Sequence, residues 1–355
     1  MIDWLKEDSH IFINPKLPQD KQNLARKAFD EHSGSREVWL QSSGTESGSK
    51  FLKFIILPKS SILSAAQAVV DFLGINESDI WLNPLPSFHI GGLSISARCF
   101  VSDSKEVVYS KRWNPSDFHN AIIQSNATIT SLVPTQIFDL IDSELKCPDS
   151  LRKVIVGGGA LDENLYTKAK DLGWPLIISY GMTETSALMA CSQLNDKRPE
   201  MKFLSHIKIE EMGSKVKIQS DALFSAMVLV SKDSVDVQKR IGSFELDDRL
   251  EISNGTVKVL GRETELVKIL GETVNLAKLE KQISRMLSKN VVIQPVPHER
   301  NGYELKVWVE SADEAIDIDK LNSQVMPYER VSEFENISLF PRTALGKIQK
   351  SQIFK

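Results

Sequence analysis

Apolar and polar residues follow two different periods along this chain, and the two periods alternate between residues 60 and 180. Apolar positions three or four residues apart predict helices over 62–72, 115–124, 136–144 and 165–172. Short apolar runs predict strands over 80–85, 128–132, 153–156 and 175–178. Such alternation is typical of a layered α/β sheet. Ligands of these sheets bind at the loops that leave the carboxyl ends of strands, so those loops are the first candidates for a site.

The pattern changes after residue 207, where short strands without helices are predicted over 215–219, 226–231 and 256–260. From Gly261 a helix over 274–287 and strands over 291–295 and 304–310 predict a second, smaller unit. We therefore expect an α/β protein with a large N-terminal domain over 1–260, whose part from about 207 to 260 is β-rich, and a small α+β C-terminal domain over 261–355.

Composition narrows the range of partners. The 355 residues are 41% hydrophobic and 25% charged, as in ordinary folded proteins. The net charge of −4 and the lack of a long basic run argue against nucleic acid, and the apolar runs are too short to span a membrane. Acidic residues near the N-terminus argue against a secretory signal, and three widely separated cysteines suit a reducing compartment. We expect a cytoplasmic protein that acts on small molecules, without nucleic acid or membrane partners.

A segment over 41–50 combines hydroxyls, two glycines and a lysine between apolar stretches. Glycines let backbone N–H groups converge, and hydroxyls add donors, so the segment suits phosphate. A flexible surface loop has the same composition and is equally compatible with it. The chain contains no Walker sequence, since Pro341 stands where Gly346 and Lys347 would require the first glycine.

Further candidates lie beside predicted strand ends. His89 follows the strand over 80–85, where a histidine contacts a ligand or simply packs. Arg98 lies in a small, apolar stretch, where it either faces a pocket and pairs with a carboxylate or phosphate, or is exposed on a helix. The segment 180–185 combines an aromatic ring, a hydroxyl and a carboxylate, which suits a nucleotide and Mg²⁺ but also an ordinary polar turn. Lys347, near the C-terminus, reads by itself as a solvated charge.

In chain order these segments resemble the motifs of the adenylate-forming superfamily of acyl-CoA synthetases, peptide-synthetase adenylation domains and luciferases. The segment 42–50 resembles its phosphate loop, 180–184 its Y-G-x-T-E and 341–347 its P-x-T-x-x-G-K. Gly261-Arg262 resembles the G-R that opens its C-terminal domain, and 158–160 its adenine-side loop. The resemblance implies that the C-terminal domain is a mobile lid, with a hinge near 262–264.

Within the superfamily, the segments 86–94, 131–136 and 180–186 look like the 2-succinylbenzoate:CoA ligases of menaquinone biosynthesis. Arg98 falls where some of those ligases have an arginine that faces the acyl substrate. That substrate has two carboxylates, and leaving the second one unpaired on burial would be costly. The resemblance implies an AMP-forming acid–thiol ligase that uses ATP, Mg²⁺ and CoA as co-substrate. A ligase for another aryl or short-chain acid, and a non-catalytic nucleotide-binding relative, stay open.

The resemblance also implies residue roles. Lys347, Thr183, Glu184 and His89 would be catalytic, and Glu184 would hold Mg²⁺. The residues implied to bind ATP or AMP are Ser43, Gly44, Thr45, Gly48, Lys53, Gly158, Gly159, Ala160, Tyr180, Gly181, Met182, Thr183, Asp248 and Arg262. His89, Arg98 and Gly159 would bind the acyl substrate, and Gly271 would face CoA. Asp247 is the alternative to Asp248 for the ribose.

Three departures from the family pattern carry expectations of their own. About 40 residues precede the phosphate loop, fewer than in relatives, which predicts lower stability or a compensating homodimer. Gly44 and Gly48 are four residues apart with Glu46 between them, which predicts weaker ATP affinity, and Lys53 rather than Lys50 aligns with the family lysine. At the hinge, Thr264 replaces the usual aspartate or lysine.

Overall fold

The structure, a computed structural model, describes residues 2–41, 51–194, 200–212, 215–262, 266–269, 272–298, 301–312, 316–343 and 346–354. The chain forms two compact units. The first comprises Met1–Leu246 and Glu251–Lys258, and the second comprises Asp247–Leu250 and Val259–Lys355. No helix within the described ranges combines the length and the apolar character that crossing a membrane requires.

The helices before residue 247 are α1 (Gln19–His32), α2 (Lys59–Leu73), α3 (Ile90–Ser102), α4 (Pro115–Ser125), α5 (Pro134–Asp142) and α6 (Glu163–Asp171). The strands up to residue 262 are β1 (His10–Phe12), β2 (Glu37–Gln41), β3 (Leu52–Pro58), β4 (Ile80–Asn83), β5 (Lys105–Val108), β6 (Ile129–Leu132), β7 (Lys153–Val156), β8 (Leu176–Met182), β9 (Ala187–Ser192), β10 (Met201–Phe203), β11 (Lys208–Met212), β12 (Lys215–Gln219), β13 (Ala226–Val230), β14 (Val235–Lys239), β15 (Phe244–Glu245), β16 (Asp248–Ser253) and β17 (Thr256–Arg262). A 3-10 turn, Thr183–Thr185, separates β8 from β9.

A nine-stranded sheet in the order β16-β17-β10-β9-β8-β7-β6-β4-β5 is the centre of the first unit. Its strands β5, β4, β6, β7 and β8 are parallel neighbours, and β9 returns antiparallel to β8. Successive side chains of a strand point to opposite faces, so Val154 and Val156 join the core against α4, α5 and α6, while Ile155 joins the core against α2 and α3. The predicted layered α/β fold is confirmed.

Helix boundaries follow capping chemistry more closely than apolar spacing. Asn114 caps α4 by accepting a hydrogen bond from the Asp117 N–H at 2.9 Å, directly before Pro115. The helix predicted over 136–144 instead begins at Pro134. The predicted start of α4 at residue 115 is therefore correct, whereas the predicted bounds of α5 lie two residues too far along the chain.

A second sheet in the first unit was not predicted. It has the order β1-β2-β3-β13-β14 and joins the N-terminal strands to residues 226–239. Val228 lies opposite Phe54, and both are fully buried. The predicted β-rich part thus divides among three sheets, because β11, β12 and β15 form a small sheet of their own and β16 and β17 extend the nine-stranded one.

The second unit contains β18 (Leu266–Ile269), β19 (Glu272–Asn275), α7 (Leu276–Leu287), β20 (Val291–His298), β21 (Gly302–Glu310), α8 (Ile318–Asn322), a 3-10 turn (Pro327–Glu329), β22 (Val331–Ile337) and α9 (Lys350–Ile353). The strands β20, β21 and β22 form one sheet, and β18 and β19 form a hairpin. Leu279 and Ile283 of α7 pack into one core with Ile293 and Val307 of that sheet. The division into a large domain and a mobile lid hinged near 262–264 stays a prediction.

Candidate functional site

The carboxyl ends of the parallel strands β4, β6, β7 and β8 lie at one edge of the nine-stranded sheet. The loops that leave this edge contain His89, the segment 157–160 and the segment 180–186. Sheets of this kind bind ligands at such an edge. The structure therefore places these predicted site residues of the first unit along one edge.

The turn between β8 and β9 is held in an unusual backbone conformation. A Cβ on Gly181 would lie 1.7 Å from the Ala187 carbonyl oxygen, so only glycine fits there. Ser186 and Ala187 have positive φ angles of 55° and 98°. Such strain persists only where the surroundings enforce it and is frequent at functional sites. Here Ser186 Oγ donates to the Ala222 carbonyl at 2.7 Å, which fixes the turn from outside.

Glu184 and Lys53 meet at this turn. Lys53 Nζ on β3 lies 3.6 Å from Glu184 Oε1, and their side chains are 28% and 18% exposed. The Phe224 N–H donates to the Glu184 carbonyl oxygen at 3.0 Å, which holds the backbone of the turn. A cation and a carboxylate, both half-buried, thus stand side by side beside Thr183, although 131 residues separate them in the chain.

The loop after β7 approaches the turn from the neighbouring strand. Gly158 has a φ of +78° and, like Gly159 and Ala160, is exposed. A Cβ on Gly157 would lie 2.9 Å from Ser179 Oγ, one residue before Tyr180. A side chain at position 157 would therefore have to displace the Ser179 hydroxyl, which itself donates to the Val156 carbonyl.

His89 is the residue that precedes α3, and it is 9% exposed. Its ring packs on Phe88 with 4.5 Å between centroids, and its Nε2 has no hydrogen-bond partner. Burial lowers the pKa of His89 to about 4, so the ring is neutral at physiological pH. A neutral, buried imidazole with an unused nitrogen is able to accept or donate one hydrogen bond to a ligand.

Arg98 lies on α3 and is 3% exposed, so it is not an exposed helix arginine. Its guanidinium stacks over the ring of Trp81, 5.4 Å from the centroid, and its Nε has no hydrogen-bond partner. Burial lowers the pKa of Arg98 to about 10, which still leaves the group charged at neutral pH. Arg98 forms no ion pair with any carboxylate that the structure describes. A buried charge without a counterion is costly, so this site requires an anion.

Two cysteines near Arg98 indicate which strand lies beside it. Its electrostatic neighbours are the thiols of Cys191 and Cys99. Burial raises the pKa of Cys99 to about 11 and that of Cys191 to about 12, so neither thiol supplies the missing anion. Cys191 lies opposite Ser179 in the β8–β9 pair, and Ser179 directly precedes Tyr180.

Two buried polar groups of the parallel sheet were not among the predicted site residues, although Ser131 opens the segment 131–136. Trp81 Nε1 and Ser131 Oγ have no hydrogen-bond partner. Ser131 lies two residues after Ile129, so both face α2 and α3, as does Trp81, the strand neighbour of Ile129. The position of Ser131 at the end of a predicted strand was the available signal, since a buried hydroxyl there needs a partner.

The remaining predicted site residues lie on β8, on or beside β16 and β17, and near the C-terminus. Asp248 begins β16 and is half-buried, Asp247 is exposed, and Arg262 ends β17. Lys347 is exposed on the second unit. Tyr180 and Met182 are half-buried in β8. Ser43, Gly44, Thr45, Gly48 and Gly271 lie outside the described residues.

The family model "AMP-binding enzyme" matches residues 42–221, which include Lys53, Arg98 and the β8–β9 turn. The chain belongs to the AMP-binding enzyme family. The matched region ends shortly before β13, so it contains most of the nine-stranded sheet of this family member.

Relatives within the AMP-binding enzymes agree with this assignment. The chain is 28% identical over 322 residues to the 2-succinylbenzoate–CoA ligase of Bacillus subtilis (strain 168), covering 79% of this chain and 61% of that protein. Structures of an o-succinylbenzoate coenzyme A synthetase from Bacillus subtilis, in complex with AMP and in complex with ATP and magnesium ion, share the fold with a TM-score of 0.74 and 22% identity. They cover 90% of this chain, which covers 69% and 70% of theirs.

Proposed function

We propose that this chain is an ATP-dependent acid–CoA ligase that forms 2-succinylbenzoyl-CoA through an acyl-adenylate. Membership of the AMP-binding enzymes supports the adenylate chemistry. The similarity to 2-succinylbenzoate–CoA ligase supports the substrate, although the chain spans 61% of that relative's length. The observation that carries the proposal is Arg98, a buried cation that forms no ion pair with any carboxylate of the described residues.

Arg98 fits the second carboxylate of a dicarboxylic acid. One carboxylate of 2-succinylbenzoate reacts at phosphorus, and the other must be buried with a partner. A guanidinium offers parallel N–H donors that match a carboxylate, and Trp81 and the neutral thiols around Arg98 leave those donors without a competing anion. His89 and Gly159 would bind the same acyl substrate. A monocarboxylic acid would leave the arginine unpaired.

The β8–β9 turn and β3 fit the nucleotide. Tyr180 would pack on adenine, Thr183 would donate to the α-phosphate, and Lys53 would neutralise phosphate charge. The other proposed ATP or AMP ligands are Ser43, Gly44, Thr45, Gly48, Gly158, Gly159, Ala160, Gly181, Met182, Asp248 and Arg262. The 3.6 Å separation of Lys53 and Glu184 supports a site where one cation and one carboxylate face the same ligand.

Mg²⁺ fits this donor set when ATP supplies the remaining oxygens. The described residues contain no group of three or more His, Cys, Asp or Glu side chains that could hold a metal ion by themselves. Magnesium commonly uses one or two carboxylates together with substrate phosphates, and Glu184 is the half-buried carboxylate at the turn. Bound there, Mg²⁺ would supply charge neutralisation at the phosphate oxygens.

Two displacements complete the proposed reaction. A carboxylate oxygen attacks the α-phosphorus of ATP, the bond to the bridging oxygen breaks, and pyrophosphate leaves with the electron pair. The sulfur of CoA then attacks the acyl carbon, its proton passes to solvent, and AMP leaves. Neither step needs a protein nucleophile, so positioning and charge neutralisation are the protein's contribution. Lys347 would bridge the attacking carboxylate and the α-phosphate, and Gly271 would face CoA after the lid has rotated.

The proposal is tested by assaying the wild type and its variants with several carboxylic acids. Pyrophosphate release is measured with ATP, Mg²⁺ and a panel of acids that includes 2-succinylbenzoate and a matched acid without its second carboxylate. The variant Arg98→Met keeps the stem and removes the charge. We expect kcat/KM for the dicarboxylate to fall by about 100-fold or more, since a buried charge pair loses one partner, while the value for the matched acid changes little.

Exposed Arg26→Met on α1 is the matched control and should leave both acids unaffected. If the wild type releases pyrophosphate only with a monocarboxylic acid, the ligase acts on another substrate. If no acid releases pyrophosphate although ATP binds, the protein is a non-catalytic nucleotide-binding relative.

A further inference from the structure

The segment that carries Lys347 is a short hairpin in the second unit. Arg342 and Ile348 form an antiparallel bridge, and the Gln349 N–H donates to the Pro341 carbonyl at 2.8 Å. The Thr343 N–H donates to the Lys347 carbonyl at 2.8 Å, and the Lys347 N–H donates to Thr343 Oγ1 at 3.2 Å. The backbone of Lys347 is thus held by the opposite arm of the hairpin, through Thr343.

That opposite arm is attached to the sheet by one carboxylate. Glu310 is the last residue of β21, and its side chain is 10% exposed. Its Oε1 accepts the Phe340 N–H at 2.7 Å, and its Oε2 accepts Arg342 Nη2 at 2.7 Å and Asn290 Nδ2 at 2.5 Å. One side chain therefore fixes the residue before the hairpin and the guanidinium within it.

Arg342 connects Glu310 with the arm of the hairpin that contains Lys347. Its Nη2 is held by Glu310, while its Nη1 donates to the Gly346 carbonyl at 3.3 Å, directly before Lys347. Gly346 has a φ of +78°, and its N–H donates to the Thr343 carbonyl at 2.9 Å. A continuous chain of contacts hence runs from the end of β21 through Arg342 to the backbone of Lys347.

A second carboxylate holds the far end of the segment. Lys350 Nζ lies 2.7 and 2.8 Å from the two oxygens of Glu280, and Glu280 also accepts the Ile293 N–H at 2.8 Å. Phe340 and Ile353, on either side of the hairpin, are buried in one cluster with Val292 and Trp308. The apolar cluster and Glu280 fix the two ends, and Glu310 fixes the hairpin itself.

We infer that Glu310 is a positioning residue for Lys347: its carboxylate holds Arg342, and Arg342 holds the hairpin that presents the lysine. This inference rests on the proposed role of Lys347 in adenylation. A lysine side chain has several rotatable bonds, and only a few of its rotamers would reach between a carboxylate and a phosphate. Anchoring the backbone of the hairpin restricts the positions of the lysine amine before substrate binds. This matters because a displacement of about 1 Å costs about 100-fold in rate.

The test compares Glu310→Gln with Glu335→Gln. The first variant keeps an oxygen for the Phe340 N–H and removes the charge that holds Arg342. The second removes an equal charge from the pair with Lys306 on the same sheet, away from the hairpin. We expect Glu310→Gln to lower kcat for pyrophosphate release by about 10-fold or more with KM for ATP nearly unchanged. Thioester formation from supplied acyl-adenylate should stay at the wild-type rate.

Hydrogen exchange provides a readout that does not need activity. The amides of Thr343, Gly346 and Lys347 should exchange faster in Glu310→Gln than in Glu335→Gln or the wild type. Glu310→Asp, which keeps the charge, should recover part of the protection and part of the adenylation rate. If Glu310→Gln does not fold, Arg342→Lys is the second variant, since it leaves the contacts of Glu310 to Phe340 and Asn290 in place.

The outcomes separate this inference from the proposed function. If the wild type is active and Glu310→Gln adenylates at the wild-type rate, or slows both half-reactions equally, the positioning role is wrong. If hairpin exchange is unchanged, it is also wrong. If the wild type releases no pyrophosphate with any acid while exchange still accelerates, the proposed function is wrong and Glu310 holds the hairpin for another purpose.

Discussion

Burial has opposite consequences for the two polar side chains that α3 brings to the site. It lowers the pKa of His89 to about 4, so the ring is unprotonated and neutral at physiological pH. It lowers the pKa of Arg98 only to about 10, so the guanidinium keeps its charge and requires an anion. The same desolvation thus creates a neutral hydrogen-bonding group at one end of the helix and an anion site further along it.

The neutral state of His89 predicts a pH dependence of stability. The folded chain binds the proton near pH 4 and the unfolded chain near pH 6.5, so the unfolded chain binds more protons between these values. The free energy of unfolding therefore falls as pH drops from 6.5 towards 4, by up to about 1.4 kcal/mol per pH unit for this group. His206, whose pKa burial also lowers to about 4, adds a loss of the same sign.

We expect the free energy of unfolding of His89→Gln to depend less steeply on pH than that of the wild type, because His206 is then the one remaining histidine of the two. Urea titrations at pH 4.5, 5.5 and 6.5 measure it, with the exposed His32→Gln as the matched control. An identical slope in His89→Gln and the wild type would show that the pKa of His89 is the same in the folded and unfolded chains, and would contradict the lowered pKa.

At the scale of elements, two adjacent glycines of α3 differ in the space that is available for a Cβ atom. A Cβ on Gly92 would lie 2.4 Å from the Pro86 carbonyl oxygen, which belongs to the loop that leads to His89. A Cβ on Gly91 would meet only the flexible end of Leu85, at 3.4 Å. The close approach of loop and helix therefore depends on one of the two residues.

We expect Gly92→Ala to destabilise the protein by about 2 kcal/mol or more, because backbone atoms must move apart. Gly91→Ala should be neutral or stabilise by up to about 1 kcal/mol, since alanine favours the helix. Thermal unfolding of the two variants measures the difference. Equal melting temperatures would mean that the loop moves freely away from α3.

The sequence was informative about elements wherever apolar spacing decided the structure, as in α2, α4 and β6. It was uninformative before residue 60, because α1 is mostly polar and because β3 pairs with β13, far along the chain. At the site, Arg98 was a candidate because it lies in an apolar stretch, and Glu184 was a candidate because its segment directly follows a predicted strand. The sequence did not indicate that Lys53 meets Glu184 or that Trp81 covers Arg98, since both are tertiary contacts.

At the scale of the whole molecule, the proposed reaction divides between the two units. The first unit contains the nucleotide edge and Arg98, and the second contains Lys347. In the proposed reaction, charge neutralisation by Lys347 would be needed when the carboxylate attacks phosphorus, but not when CoA attacks the finished adenylate. A swing of the second unit between these steps stays a prediction.

We expect Lys347→Ala to reduce pyrophosphate release by about 100-fold or more, as removal of one preorganised charge typically does. Thioester formation from supplied acyl-adenylate should fall less than about threefold, since the lysine has no part in the second displacement. Single-turnover assays of each half-reaction measure the two rates, with Lys320→Ala on α8 as the control. A parallel loss in both half-reactions would contradict this assignment of Lys347.

The pairing of β3 with β13 has a consequence for how the protein is made. The parallel strands β4 to β8 pair with partners that arrive soon after them, so this part of the first unit is able to fold while synthesis continues. Lys53, in contrast, lies on a strand whose second neighbour, Ala226–Val230, is translated about 170 residues later. The strand that carries Lys53 therefore receives its second neighbour late in biosynthesis, after the parallel strands β4 to β8 have been made.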